Sequence, residues 1–171
     1  MEPIKKLISV AKEEVGYIEK NSINNLYDKN LNIGFNNYTK YWQDIEPKYQ
    51  GYSWCAVFVN WCFLKSFGKE NTKKLLRHYP YIYVSTLIYL FKLNEYPSEG
   101  DVVLFNYDNK YSHTGIVTNV MHDYFETVEG NTNICESFIP NGGGVCERRY
   151  FLDEIPNVKF CTPDWKKIQF D

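Results

Sequence analysis

No stretch of this chain approaches the ~18 consecutive apolar residues of a membrane-spanning helix, and its N-terminus, MEPIKKLISVAKEEVGYIEK, lacks the uninterrupted apolar core of a secretion signal. The expectation is a soluble product made in the cytoplasm, with no membrane partner. No run of lysine or arginine is longer than a pair, and 19 basic residues against 21 acidic give a net charge of −2, which excludes nucleic acid as a partner. There is no CxxC and no HExxH, so neither a zinc ribbon nor a zincin-type metal centre is present, and no metal or cofactor is expected. Histidine is scarce: any imidazole chemistry must come from His78, His113 or His122. The five cysteines are an odd number without an export signal, which points to free thiols rather than a disulfide framework.

Aromatic residues, by contrast, are abundant: 15 Tyr, 11 Phe and 4 Trp supply a core, or the lining of a groove for sugars or peptides, and argue against disorder. A length of 171 residues fits one domain, expected over residues 1–171. Ile4, Leu7, Ile8, Ala11 and Val15 recur at helical spacing behind Pro3, and Gly16 marks the stop. The asparagine- and tyrosine-rich segment from Asn21 to Gln50 has no sustained period and reads as a long ordered loop with a helical turn near Tyr38–Trp42. A buried helix is predicted from Trp54 to Phe67, closed by Gly68, with shorter helices over Asn71–Arg77 and Val84–Lys92. After Gly100 the segments DVVLFNY, TGIVTNV, YFETVEG, GVCERRYF and VKF alternate with turn residues and read as strands, with IPNGGGV a tight connection among them. Helices first and strands afterwards indicate an α+β domain, N-terminal helices packed on a C-terminal antiparallel sheet.

The stretch GYSWCAVFVNWCF places Cys55 at the first turn of the buried helix, where unpaired N–H groups and the helix dipole favour a thiolate. Such a nucleophile needs a base, and the base needs a group to fix its tautomer. His113, in YSHTGIV, is expected to open a strand at a sheet edge. Glu129, in VEGNT, is expected to end the next strand. A hairpin centred on His122 pairs residues whose numbers sum to about 244, which sets His113 near position 131 and brings Glu129 and Asn131 within reach. Cys62, on the same helical face as Cys55, is expected to be a small buried hydrophobe. The Cys55 backbone N–H is a candidate oxyanion donor, with Gln50 or Tyr52 as a side-chain donor. Trp54, Gln50 and Tyr52, which flank the thiol, are expected to touch substrate.

Taken in order, WCAxFVxWC, GDVVxF, SHxGIV and EGNT resemble the signature of the CHAP domain, the cysteine- and histidine-dependent amidohydrolase/peptidase branch of the papain-like NlpC superfamily. The resemblance runs from the first helix through NGGGVCERRY. It implies Cys55 as nucleophile, His113 as base, Glu129 as orienting acid and Asn131 as a helper, on a papain-like fold. It also implies bacterial peptidoglycan as partner, cut at the muramoyl–L-alanine amide or within the stem peptide or cross-bridge, by a phage-type lysin or a delivered toxin; an immunity protein would be a partner in the toxin case. Some relatives carry calcium near the amino-terminal side of the site. Here an EF-hand count from Asp28 meets Ile33 and Thr39 where Gly and Glu are required, so the loop reads as solvated. A cysteine hydrolase or deamidase acting on a protein, and a non-catalytic wall-binding module, are the alternative readings.

Overall fold

In the computed structural model, which describes residues 2–133, 143–155 and 157–168, helix α1 (Pro3–Glu13) opens on a proline whose missing N–H costs nothing at that position. It buries Leu7 and Ala11, one turn apart. The segment that follows is held by short bridges, Lys20 pairing with both Ile33 and Tyr38. Asn25, Asn32 and Asn37 adopt left-handed backbone conformations there, which asparagine tolerates better than most residues and which accounts for the asparagine richness. Helix α2 (Lys40–Ile45) begins slightly later than expected. Its start is set by Thr39, whose hydroxyl accepts from the Trp42 N–H at 3.2 Å.

Helix α3 (Cys55–Leu76) unites two segments that the sequence divides at Gly68. That residue leaves the helical region at φ +74°, so the expected stop is a kink from which the helix resumes. The half before the kink is buried from Cys55 to Phe63, as its all-round apolarity requires. Helix α4 (Thr86–Leu90) is shorter than the Val84–Lys92 span.

Five strands follow: β1 (Val102–Tyr107), β2 (Lys110–Val120), β3 (Tyr124–Asn133), β4 (Gly143–Phe151) and β5 (Val158–Cys161), in the antiparallel order β4-β3-β2-β1-β5. The fold is therefore α+β, helices preceding one antiparallel sheet. The IPNGGGV connection and Cys135 fall largely or wholly outside the described residues. Two strand limits differ from expectation. Asp108 and Asn109, both left-handed, form a two-residue turn that lets β2 pair with β1 from Lys110 onward, so His113 lies inside β2 rather than opening it. Glu129 likewise lies inside β3, which continues to Asn133.

Both faces of the central strands are covered. Val102, Leu104, Ile116 and Val128 join Val57, Phe58 and Cys62 of α3 in the main core. The alternating residues Val103, Phe105, Val117, Phe125 and Phe160 form a second apolar cluster. This double burial explains why DVVLF is a continuous apolar run instead of an alternating one.

Candidate active site

The residues on both sides of Cys55 are fixed in the core. Trp54 is fully buried; its ring stacks on Tyr41 with centroids 5.4 Å apart, and its indole N–H donates to the buried Glu19 carboxylate at 3.4 Å. Glu19 also accepts from the Asn37 N–H at 2.5 Å, and burial pushes its carboxyl up despite these bonds. On the other side, the first turn of α3 closes with the Phe58 N–H donating to the Trp54 carbonyl at 3.0 Å. Strand β3 approaches so closely at Gly130 that a Cβ there would lie 2.6 Å from the Phe58 Cβ and 2.9 Å from the Trp54 ring. The thiol is thus carried on a helix start with little freedom to move.

His113 meets this helix start from β2. Its Nε2 lies 2.7 Å from Glu129 Oε2, and the Cys55 side chain is near enough to act electrostatically on the ring. The Phe105 ring packs 5.5 Å from the imidazole. Burial pulls the imidazole pKa down, but the Cys55 and Glu129 hydrogen bonds and charges outweigh it and raise it from 6.5 to about 10.

Glu129 is completely buried. Burial alone would push its carboxyl up, yet the His113 charge and hydrogen bond, the Thr127 hydroxyl donating to Oε1 at 2.6 Å and the Tyr150 hydroxyl together hold it below the usual range. Register explains how the carboxylate reaches histidine. Ile116 pairs with Val128, so Glu129 lies opposite Gly115, and its side chain passes over that residue toward His113. A Cβ at Gly115 would sit 2.5 Å from the Glu129 Cγ. Glycine keeps the path open.

The thiol opens on a cleft of about 480 Å³, walled by Trp42, Tyr49, Tyr52, Tyr83 and Tyr111, with Ser53 at its edge. Among the residues expected to touch substrate, Tyr52 lines this cleft and is 65% exposed. Trp54 does not: the packing that anchors it also hides it. Gln50 does not line the cleft: its Oε1 accepts from the Thr39 N–H at 2.9 Å, and one of its two Nε2 protons goes to the Thr39 carbonyl at 2.8 Å. It ties the loop instead. Asn131, left-handed at φ +53°, directs its amide nitrogen to Ser53 Oγ at 2.8 Å.

Cys62, about two turns further along α3, is fully buried in the core, and burial raises its thiol pKa well above the ordinary value. His78 and His122 do not line the cleft. Asp28 turns its carboxylate onto the Asn30 and Leu31 N–H groups of its own loop. Among the described residues no group of three or more His, Cys, Asp or Glu side chains is arranged to hold a metal ion, and no helix is long and apolar enough to cross a membrane. Thr127, Tyr150, Phe105 and Ser53 belong to the site without having been singled out in the sequence. Thr127 was accessible to reasoning, since residues two apart on a strand share a face; Tyr150 and Phe105 require the pairing of β4 and β1, which no local pattern supplies.

Residues 47–131 match the family model described as CHAP domain. No curated protein matches the chain. Among solved structures, one described as the crystal structure of Ly7917 is similar at TM-score 0.50 and 11% identity, over 94% of this chain and 62% of that one. Another, the crystal structure of a wild type endolysin LysIME-EF1, gives TM-score 0.49 and 16% identity over 96% of this chain and 66% of that one. The chain thus spans less than two thirds of the length of either. At these identities the likeness to Ly7917 is one of fold.

Proposed function

We propose that this chain, which carries a CHAP domain across residues 47–131, is a cysteine amidohydrolase that cleaves an amide bond of bacterial peptidoglycan. The observation that carries the reading is His113 held at 2.7 Å by the buried Glu129 and acted on by Cys55, whose residue lines an aromatic cleft at the start of α3.

The chemistry follows from this arrangement. His113 holds the thiol proton, and the Cys55 sulfur attacks the carbonyl carbon of the scissile amide to give a tetrahedral intermediate. Collapse breaks the C–N bond as the imidazolium protonates the departing amine, leaving a thioester on Cys55. Water, deprotonated by the now neutral imidazole, attacks the thioester, releasing a carboxylate product and returning the proton to His113. Glu129 stays ionised throughout: it fixes the ring and stabilises imidazolium. Within this reading the bond is the muramoyl–L-alanine amide or one in the stem peptide or cross-bridge, and the tyrosine-rich walls of the cleft suit sugar or peptide faces.

The reading is tested by digesting purified sacculi of several wall chemotypes with the wild-type protein and Cys55→Ala. Released fragments from the wild type alone are expected. A wild-type protein that cleaves none of these walls but hydrolyses or deamidates a protein moves the substrate to protein, and wall binding without cleavage makes the chain a binding module.

A further inference from the structure

Thioester formation places a negative charge on the former carbonyl oxygen, and donors aimed at that position are the largest single source of stabilisation in such sites. One donor is the Cys55 N–H, at the start of α3 where helix N–H groups have no intrahelical acceptor. Of the side chains expected to supply the second, Gln50 is tied to Thr39 and does not line the cleft, and Tyr52 lines it and, like Ser53, is exposed. Ser53 fits the role better. It lies two residues before the thiol, in the segment leading into α3, and lines the same cleft as Cys55.

Three serines line that cleft, Ser53, Ser85 and Ser112, and among them Ser53 is the one whose hydroxyl is held by another side chain. The direction of that bond matters. Asn131 Nδ2 lies 2.8 Å from Ser53 Oγ, while the buried Oδ1 of the same amide has no partner among the described residues; with Nδ2 as the donor, the serine accepts and its own proton is free for another acceptor. Asn131 is fixed in turn by its left-handed backbone at the point where the pairing of β3 with β4 shifts register between Glu129 and Thr132. That irregularity turns the residue two positions beyond Glu129 toward the approach to α3 rather than toward His113.

Resting on the cysteine-hydrolase reading above, we propose that the Ser53 hydroxyl is the side-chain oxyanion donor, and that Asn131 is a positioning residue that keeps the serine proton directed into the cleft. Ser53 contributes to the addition of sulfur to a carbonyl and contributes nothing to reactions that generate no oxyanion.

The test compares two reactions of Cys55 in the full chain. p-Nitrophenyl acetate transfers its acetyl group to the sulfur: the S–C bond forms, an oxyanion develops, and nitrophenolate leaves. Iodoacetamide alkylates the same sulfur by displacement of iodide, without an oxyanion. Ser53→Ala is expected to slow acetyl transfer roughly 10- to 100-fold while alkylation stays within about twofold. Ser53→Thr should retain acetyl transfer. Asn131→Asp should lose it to the same extent as Ser53→Ala, because a carboxylate beside Oγ captures the hydroxyl proton that the amide leaves free. Equal acetyl transfer by Ser53→Ala and wild type overturns the proposal. So does a parallel loss of both reactions, which marks a structural role, and so does a wild-type Cys55 that alkylates but takes no acetyl group. A wild type that shows the expected split yet digests no cell wall leaves Ser53 in place and removes only the peptidoglycan reading.

Discussion

Cys55 and Cys62 lie on one helix and both are buried, at 4% and 0% exposure, so burial does not distinguish them; partners do. Cys55 acts on an imidazole held by a carboxylate, whereas Cys62 has an apolar setting that keeps its proton in place. Brief treatment with iodoacetamide is therefore expected to modify Cys55 and to spare Cys62, read by peptide mass spectrometry, and Cys62→Ala should keep activity that Cys55→Ala loses. Gly115 provides a second prediction at this scale. Gly115→Ala forces the Glu129 side chain to move, with a destabilisation of about 1–3 kcal/mol and a loss of activity larger than that destabilisation accounts for, seen by comparing kcat with the midpoint of thermal unfolding. Full activity at an unchanged midpoint would mean that the carboxylate does not need the path over residue 115. Cys55, His113 and Glu129 were singled out in the sequence because each sits in a distinctive local context, and the structure sets His113 against Glu129. Trp54 and Gln50 were misread for a common reason: adjacency to the thiol along the chain says nothing about which side chains the core consumes, and here the core takes Trp54 and Thr39 takes Gln50.

Between elements, the site depends on how closely α3 lies against β3. Gly130 sets that separation, since any Cβ would enter the Phe58 and Trp54 side chains. Gly130→Ala should cost roughly 1–3 kcal/mol of stability, measured by urea unfolding, and should lower the rate of Cys55 alkylation by moving the helix start away from His113. An unchanged alkylation rate in a folded variant would separate the two effects and contradict this account of the helix position. The order of helices and strands was readable from periodicity, and the hairpin sum of 244 is the pairing observed at Ile116–Val128 and Val117–Thr127. Strand limits were not readable. The Asp108–Asn109 turn and the extension of β3 to Asn133 depend on pairing partners rather than on local composition. The same holds for the asparagine-rich segment, whose order comes from Lys20 bridging to Ile33 and Tyr38 across a distance in sequence that no window detects.

For the molecule as a whole, the buried histidine–carboxylate pair couples stability to pH. His113 is raised from its ordinary 6.5 to about 10, so its contribution is complete below its unfolded pKa and is lost as pH rises through about 10. Glu129 is depressed, so its contribution is present above the ordinary carboxylate pKa and is lost as pH falls through its folded value. The thermal midpoint of the wild type should fall on the alkaline side between about pH 7 and 10, and His113→Gln should flatten that limb; equal slopes would show that the imidazole is not raised. The central claim is that this assembly cuts an amide of the bacterial wall with Cys55. Its most direct test is mass spectrometry of fragments released from purified peptidoglycan by the wild type and by Cys55→Ala. The account predicts new amine and carboxylate termini at one amide bond, from the wild type alone. Fragments released equally by Cys55→Ala, or by neither protein from any wall chemotype, would contradict it.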